Sequence, residues 1–354
     1  MKLHIRNALS FNGKGSLYWF QRMMWIPALF ILTAHAQESE QALLLRAQKW
    51  FKPLPENMAT AEFPIPPERV ALGRRLFFDK RLSLDGTVSC ETCHIPGLHG
   101  IDGLTKSIGV EHRLNARNAP TVLNAALQFK AHWDGGRDNV EDQATKALVG
   151  PASFGNPDYP AVIQKIKALG YEPDFKRAFP EDQEPIKPEN WGKAIGSYER
   201  TLVTPSPFDE YLKGTTTALT PQAQQGLATF MDKGCVSCHD GPGIGGGSFE
   251  KFGLIADYWT LTGSQTMDEG RFALTKDPSD RYEFKVPSLR NVAKTPPYFH
   301  DGSVDELAHA VRIMGKVQLG LDLTPAQVDV LVAFLTSLTG DVPKQFAAET
   351  KPKQ

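Results

Sequence analysis

Two stretches decide how this chain folds: "LGRRLFFDKRLSLDGTVSCETCH", Leu72 to His94, and "QGLATFMDKGCVSCH", Gln225 to His239. Each closes on Cys-x-x-Cys-His. The four cysteines they hold, Cys90, Cys93, Cys235 and Cys238, are the only ones among 354 residues. Three chemistries use such pairs. A zinc ribbon would bring its pairs within ~15–20 residues of each other, whereas about 140 residues lie between these. Disulfides are open to an exported chain. Neither explains the histidine that follows each second cysteine. In Cys-x-x-Cys-His the two thiols form thioethers with haem vinyl groups, and the adjoining imidazole is aimed at the iron. Histidine fills nine of the 354 positions, so finding it after both pairs by chance has odds of roughly one in a thousand or less. The pentads read as two covalent c-type haem sites, with His94 and His239 as proximal ligands.

The flanks of the pentads repeat as well. Both carry Gly-x3-Phe-x-Asp-Lys: Gly73, Phe77, Asp79 and Lys80, then Gly226, Phe230, Asp232 and Lys233. A helix start precedes each, "PPERVALG" and "TPQAQQGLATF", the second with Thr220 as N-cap and Pro221 in the first turn. One unit used twice implies one haem per domain. Pro and Gly interrupt the helical pattern at "VTPSPFDEYLKG", Val203 to Gly214. The expected domains are therefore 37–205 and 206–354. The segments "YPAVIQKIKALG", "WGKAIGSYERTLV", "SVDELAHAVRIMG" and "TPAQVDVLVAFLTSL" all read as helices, and strand signals are few. The class is mostly α: two cytochrome c-like domains with long loops, each core partly filled by its haem.

Residues 1–36 differ from the rest. They hold Lys2, Arg6, Lys14 and Arg22, no acid, and the apolar run "MMWIPALFILTA", ending at "AHA". A basic start, a short apolar run and a small-x-small site read as a signal peptide cut after Ala36. The alternative, a retained anchor, needs ~20 apolar residues. Of 39 basic residues, 35 remain beyond the leader, against 40 acidic ones. That acidic balance leaves no electrostatic case for nucleic acid. No later run could span a bilayer, so the mature chain is expected to be soluble and periplasmic.

A haem with two strong axial ligands shuttles electrons, whereas one with an open face can bind and cleave an oxygen species. The second ligands therefore matter. Met314, in "AHAVRIMGKVQLG", is the best candidate for the second haem, although methionine on an amphipathic helix also serves as core filler. Near the first haem, "SIGVEHRLNARNAP", Ser107 to Pro120, offers His112, whose place between Glu111 and Arg113 suits a solvated surface residue equally well.

The segments "ARNAPTVLNAA", "HWDGGRDNVEDQA" and "FKVPSLRNVAKTPPYFHDGSVDELAHAVRIMG", together with both pentads, resemble the bacterial di-haem cytochrome c peroxidase family, which includes the MauG-type enzymes. The resemblance runs from about Pro66 to Gly340. It implies that Met314, fourteen residues after His300, ligates the C-terminal iron, where MauG-type proteins carry tyrosine. It implies that Trp133 bridges the haems and that Gln143 lines the distal pocket. The family's removable distal histidine directly follows a glycine; here Val110 follows Gly109, which implies an N-terminal haem left open. The family's distal Glu-Met pair is also missing: Tyr159 and Pro160 stand there, beside Asp158, the substitute candidate for proton relay. A Ca2+ site is implied at Asn118, Thr295 and Pro297.

Three functions follow as expectations. The first is a periplasmic peroxidase that reduces H2O2 at the His94 haem. Its electrons would come from a small cytochrome c or cupredoxin through the Met314 haem, and a homodimer is compatible with the family. The second is a MauG-like enzyme that uses peroxide-derived oxidising power on an aromatic side chain of a partner protein. The third is a di-haem electron carrier, which would need strong sixth ligands on both irons.

Overall fold

A computed structural model describes residues 38–346; the expected leader lies outside them. The helices, in chain order, are α1 (Glu40–Trp50), α2 (Pro67–Phe78), α3 (Cys90–Cys93), α4 (Val140–Ala147), α5 (Tyr159–Ala168), α6 (Glu172–Ala178) and α7 (Pro188–Glu199). There follow α8 (Pro207–Leu212), α9 (Pro221–Asp232), α10 (Tyr258–Thr262), α11 (Phe272–Thr275), α12 (Leu307–Leu319) and α13 (Pro325–Thr336). Extended structure among the described residues is a two-stranded antiparallel ribbon, β1 (Phe249–Lys251) and β2 (Glu283–Lys285), in the register Phe249 to Lys285. The expected helix starts hold. Thr220 accepts from the Ala223 N–H at 3.2 Å, and Pro221 opens α9. None of the described helices is long and apolar enough to cross a membrane.

Two main cores form. The first gathers α2, α4, α5, α6 and α7 around Phe77, Trp191, Ile195 and Tyr198. The second gathers α8, α9 and α13 around Phe208, Leu227, Phe230 and Phe334. The ends of the described residues cross between them. Leu43, Leu44, Ala47 and Phe51 of the N-terminal segment pack in the second core, and Phe346 packs in the first. Nothing in the composition of α1 signals that choice, because any apolar helix face can fill either core.

The repeated glycines do one job twice. A Cβ on Gly73 would lie 1.9 Å from the Ala194 carbonyl oxygen, and one on Gly226 would lie 1.9 Å from that of Val330. Only a bare Cα lets α2 cross α7, and α9 cross α13, at this distance. The aromatic that follows packs the same way in both copies: Phe77 lies edge-on to Tyr198 at 5.4 Å, and Phe230 lies 5.2 Å from Phe334. Gly226→Ala is expected to lower stability by about 2–3 kcal/mol, since the two helices must move apart. Urea unfolding monitored by circular dichroism reads this directly.

The structure adds repeats that periodicity does not show. "AHWDGGR", 131–137, and "YFHDGSV", 298–304, form the same closed turn, bridged from Ala131 to Arg137 and from Tyr298 to Val304. Each turn has a left-handed second residue, His132 at φ 67° and Phe299 at φ 70°. Each is followed at the same distance by a helix, α4 or α12. Likewise Asn124 and Asn291 are both left-handed, and both donate to the Thr204 hydroxyl, at 2.7 and 2.9 Å. Thr204 lies in the segment read from sequence as a boundary, where it ties the two copies together.

Candidate functional site

Both pentads wind into a single turn closed by a hydrogen bond from the histidine N–H to the first cysteine carbonyl, 3.0 Å in each. Before the second, Gly234 at φ 87° lets the chain leave α9 abruptly. The four thiols are not paired with one another, and no group of three or more Cys, His, Asp or Glu converges on one point among the described residues. Burial pushes the Cys93 and Cys235 thiols up to about 11 and raises Cys90 well above the usual thiol range. The two pairs stand on separate turns and in separate cores, which suits two attachment sites better than one shared metal site.

The second pentad opens on an apolar cavity of about 290 Å³. Cys235, Cys238 and His239 line one part of its wall, and Met314 and Val311 of α12 line another. Leu307, Ala310, Val311 and Met314 recur at helical spacing, which turns one face of α12 into cavity wall and core. Burial pulls His239 down to about 4, so its imidazole is neutral, as an iron ligand must be. Its Nδ1 faces the Ile244 and Pro287 carbonyls but closes no hydrogen bond. A Cβ on Gly245, at φ 107°, would sit 3.0 Å from that Nδ1, so the ring rests against bare backbone. A buried, neutral imidazole and a thioether in the wall of one apolar cavity, beside two thiols, fit a haem.

His94 is held differently. Its Nδ1 lies 3.0 Å from the Gly100 carbonyl, which fixes the proton on Nδ1 and leaves Nε2 as the lone-pair nitrogen. Burial lowers its pKa too. Residues Val110–His112 form a short turn in the loop between Ser107 and Pro120. Val110 is fully buried, donates its N–H to the Ser153 carbonyl at 3.2 Å and packs on Gly155. Glu111 and His112 are both left-handed, at φ 53° and 58°, and the His112 side chain is exposed. The repeat supplies a second comparison. Counting from the two matching turns, Met314 on α12 corresponds to Ala147 on α4. The first half has no thioether where the second has one.

Trp133 lies in the cavity wall together with Asn118, Thr295 and Pro297. Its Nε1–H donates to the Asn118 carbonyl at 2.9 Å, and its own carbonyl accepts from the Lys285 N–H at 2.7 Å. Its ring meets His300, the matching residue of the other turn, edge to face at 6.3 Å. Asn118 donates its side-chain NH2 to the Leu104 carbonyl at 2.8 Å. Gln143 is half-buried on α4. Asp158 is not brought to this group. It is exposed and caps α5, accepting from the Ala161 N–H at 2.8 Å. A sequence signal for that was present: an Asp two residues before Pro160 at a helix start.

Two buried ionisable groups carried no sequence signal. Lys285, 5% exposed in the cavity wall, gives its ammonium to the Gln128 amide oxygen, and desolvation pulls it down to about 8. Glu199 is buried within electrostatic reach of Cys90, and desolvation pushes it up to about 8. It lies beside the buried pair in which Arg200 Nε donates to Glu141 at 2.7 Å.

A model of the family described as di-haem cytochrome c peroxidase matches residues 67–217. The cytochrome c551 peroxidase of Pseudomonas aeruginosa is 41% identical over 334 residues, covering 92% of this chain and 94% of that protein. The methylamine utilization protein MauG of Methylorubrum extorquens is 36% identical over 324 residues, covering 87% and 88%. Among solved structures, a MauG-like protein associated with microbial copper homeostasis superposes with a TM-score of 0.74 at 30% identity, covering 84% of this chain and 96% of that one.

Proposed function

Because this chain belongs to the di-haem cytochrome c peroxidase family, we propose that it reduces H2O2 at an open site built on His94, with electrons that enter through a second site between His239 and Met314. Haem bound covalently at the two pentads supplies the redox chemistry: cleavage of the O–O bond at the first site and storage of an electron at the second. The chain does the rest. The Gly100 carbonyl holds the His94 proton on Nδ1 and so presents Nε2. Met314 contributes a thioether, which favours the reduced state and suits a site that accepts electrons from a donor. Trp133, fixed at its indole N–H and at its carbonyl, stands in the wall of the electron-accepting site. Gln143 is the polar side chain offered to peroxide, and Asp158 keeps its role as helix cap.

One observation carries the reading: matched places in the repeat hold Met314 and Ala147. A pure electron carrier would need a ligand in both halves. His112→Ala is expected to leave peroxide turnover within about twofold of wild type, as for a surface residue outside the site. The test of the whole proposal is steady-state consumption of H2O2 with reduced cytochrome c. Turnover supports it, and absence of turnover in the di-haem protein contradicts it.

Val110 and the Tyr159–Pro160 pair, in place of the family's histidine and Glu-Met, favour a second reading: oxidation of an aromatic residue on a partner protein. That reading expects negligible turnover and a long-lived oxidised state after peroxide. The remaining parts of the proposal are export to the periplasm on the leader and two cytochrome c-like domains, 37–205 and 206–354, with α1 lent to the second core. Homodimerisation completes it, with Ca2+ at Asn118, Thr295 and Pro297. Those donors are neutral oxygens, so water must complete the shell of that hard cation.

A further inference from the structure

An aromatic path leads from Trp133 to the protein surface. The rings of Trp133 and His300 are 6.3 Å apart, those of His300 and Tyr258 5.2 Å, and those of Tyr258 and Trp259 5.1 Å; Tyr282 follows 5.0 Å beyond Trp259. His300 and Tyr258 are buried, whereas Trp259 and Tyr282 are partly exposed. A second connection runs beside the rings. Arg117 bridges Asp134, next to Trp133, at 2.6 Å and grips Asp268 with two hydrogen bonds of 2.7 and 2.9 Å. Asp268 in turn clamps the Tyr258 hydroxyl, which donates to its carbonyl at 3.1 Å and accepts from its N–H at 2.9 Å.

Electron transfer between side chains weakens steeply with distance through space and far less through packed or hydrogen-bonded contacts. Rings whose centroids lie 5.0–6.3 Å apart therefore allow short steps where one long step would fail. The other aromatic clusters differ. The rings around Phe77 and those around Phe208 are mostly phenylalanine, which is hard to oxidise, and their tyrosines are buried. Among the described residues, the path from Trp133 ends in an indole and a phenol within reach of solvent.

We propose that Tyr258, Trp259 and Tyr282 carry oxidising equivalents from the cavity wall at Trp133 to the surface, where a small phenol or hydroquinone is oxidised one electron at a time. This rests on the peroxide reading above, since peroxide is the oxidant. Per turnover, H2O2 and two phenols give two waters and two phenoxyl radicals. Each phenol loses one electron to oxidised Trp259 or Tyr282 and one proton to water, and the electrons travel inward along the path. His300, harder to oxidise than either neighbour, serves as the packed bridge between Trp133 and Tyr258. The exit carries a cation, the Lys251 ammonium 5.9 Å from the Tyr282 ring, which favours the phenolate form of a donor.

The experiment uses the di-haem protein with guaiacol as the phenol and reduced cytochrome c as the separate donor. Trp259→Phe is expected to lower guaiacol oxidation about tenfold while cytochrome-driven turnover stays within about twofold. Trp259→Tyr, which remains oxidisable, is expected to recover most of the loss. Peptide mapping after peroxide without donor is expected to find added oxygen on Trp259 and Tyr282 in wild type, and none on Tyr282 in Trp259→Phe. Equal guaiacol rates in wild type and Trp259→Phe overturn the path, and so does an equal loss in the Phe and Tyr variants, which would mark packing and not redox. Loss of cytochrome-driven turnover in wild type instead strikes the peroxide reading beneath it.

Discussion

Met314→Leu is expected to cut peroxide turnover with reduced cytochrome c by about a hundredfold while leaving the fold intact. Leucine conserves the volume of methionine, and such swaps in packed sites cost less than about 1.5 kcal/mol. Met314 is half-buried on the cavity face of α12, so the packing change is smaller still. What leucine removes is the sulfur. Leucine would leave only hydrocarbon on that part of the cavity wall, and a haem bound there would lose the preference for the reduced state that a thioether would confer. Electrons from the donor would meet a less favourable acceptor. The loss should appear in kcat and in the reduction potential of the second haem, with the first haem's spectrum unchanged. An unaltered potential would show that Met314 is the core filler its helical spacing also allows.

Asp209→Ala is expected to lower stability by about 3–5 kcal/mol, the range for breaking a buried ion pair from one side. Asp209 and Arg290 are 1% and 0% exposed at the side chain, and Arg290 Nη1 donates to Oδ2 at 2.7 Å. The same carboxylate accepts from the Leu54 N–H at 2.7 Å and from both the N–H and the hydroxyl of Ser206 at 2.8 Å. Alanine would strand two backbone donors and a guanidinium with no other carboxylate. Arg290 also lines the cavity shared by Cys235, Cys238 and His239, so the unpaired charge would sit beside the proposed second site. The urea midpoint should fall sharply, and haem incorporation with it. A change under about 1 kcal/mol would mean that water reaches Arg290 and replaces the carboxylate.

The parts of this fold that sequence makes legible are those with a fixed chemical spacing. The pentads read directly, because two thiols and an imidazole must meet one cofactor. The repeated Gly-x3-Phe reads as duplication, and the structure gives its cause: Gly73 and Gly226 each admit a helix backbone. The helix start at Thr220 reads from its cap, and α13 reads from its helical pattern. The equivalence of Trp133 and His300 was hidden. The turns that hold them share backbone shape, set by left-handed residues, while their side chains differ. Lys285 and Glu199 were hidden for another reason, since burial of a lone charge is a property of packing and leaves no mark on periodicity. Asp158 shows the reverse case, a residue whose cap signal was readable but stood beside a more attractive catalytic gap.

The most direct test of the central claim, that the two haem sites differ because Met314 has no counterpart in the first half, is EPR of the resting oxidised protein. One high-spin ferric signal beside one low-spin signal is the expected result, unchanged in His112→Ala. Two low-spin signals, one of them lost in His112→Ala, would contradict it and make His112 the ligand that closes the first site.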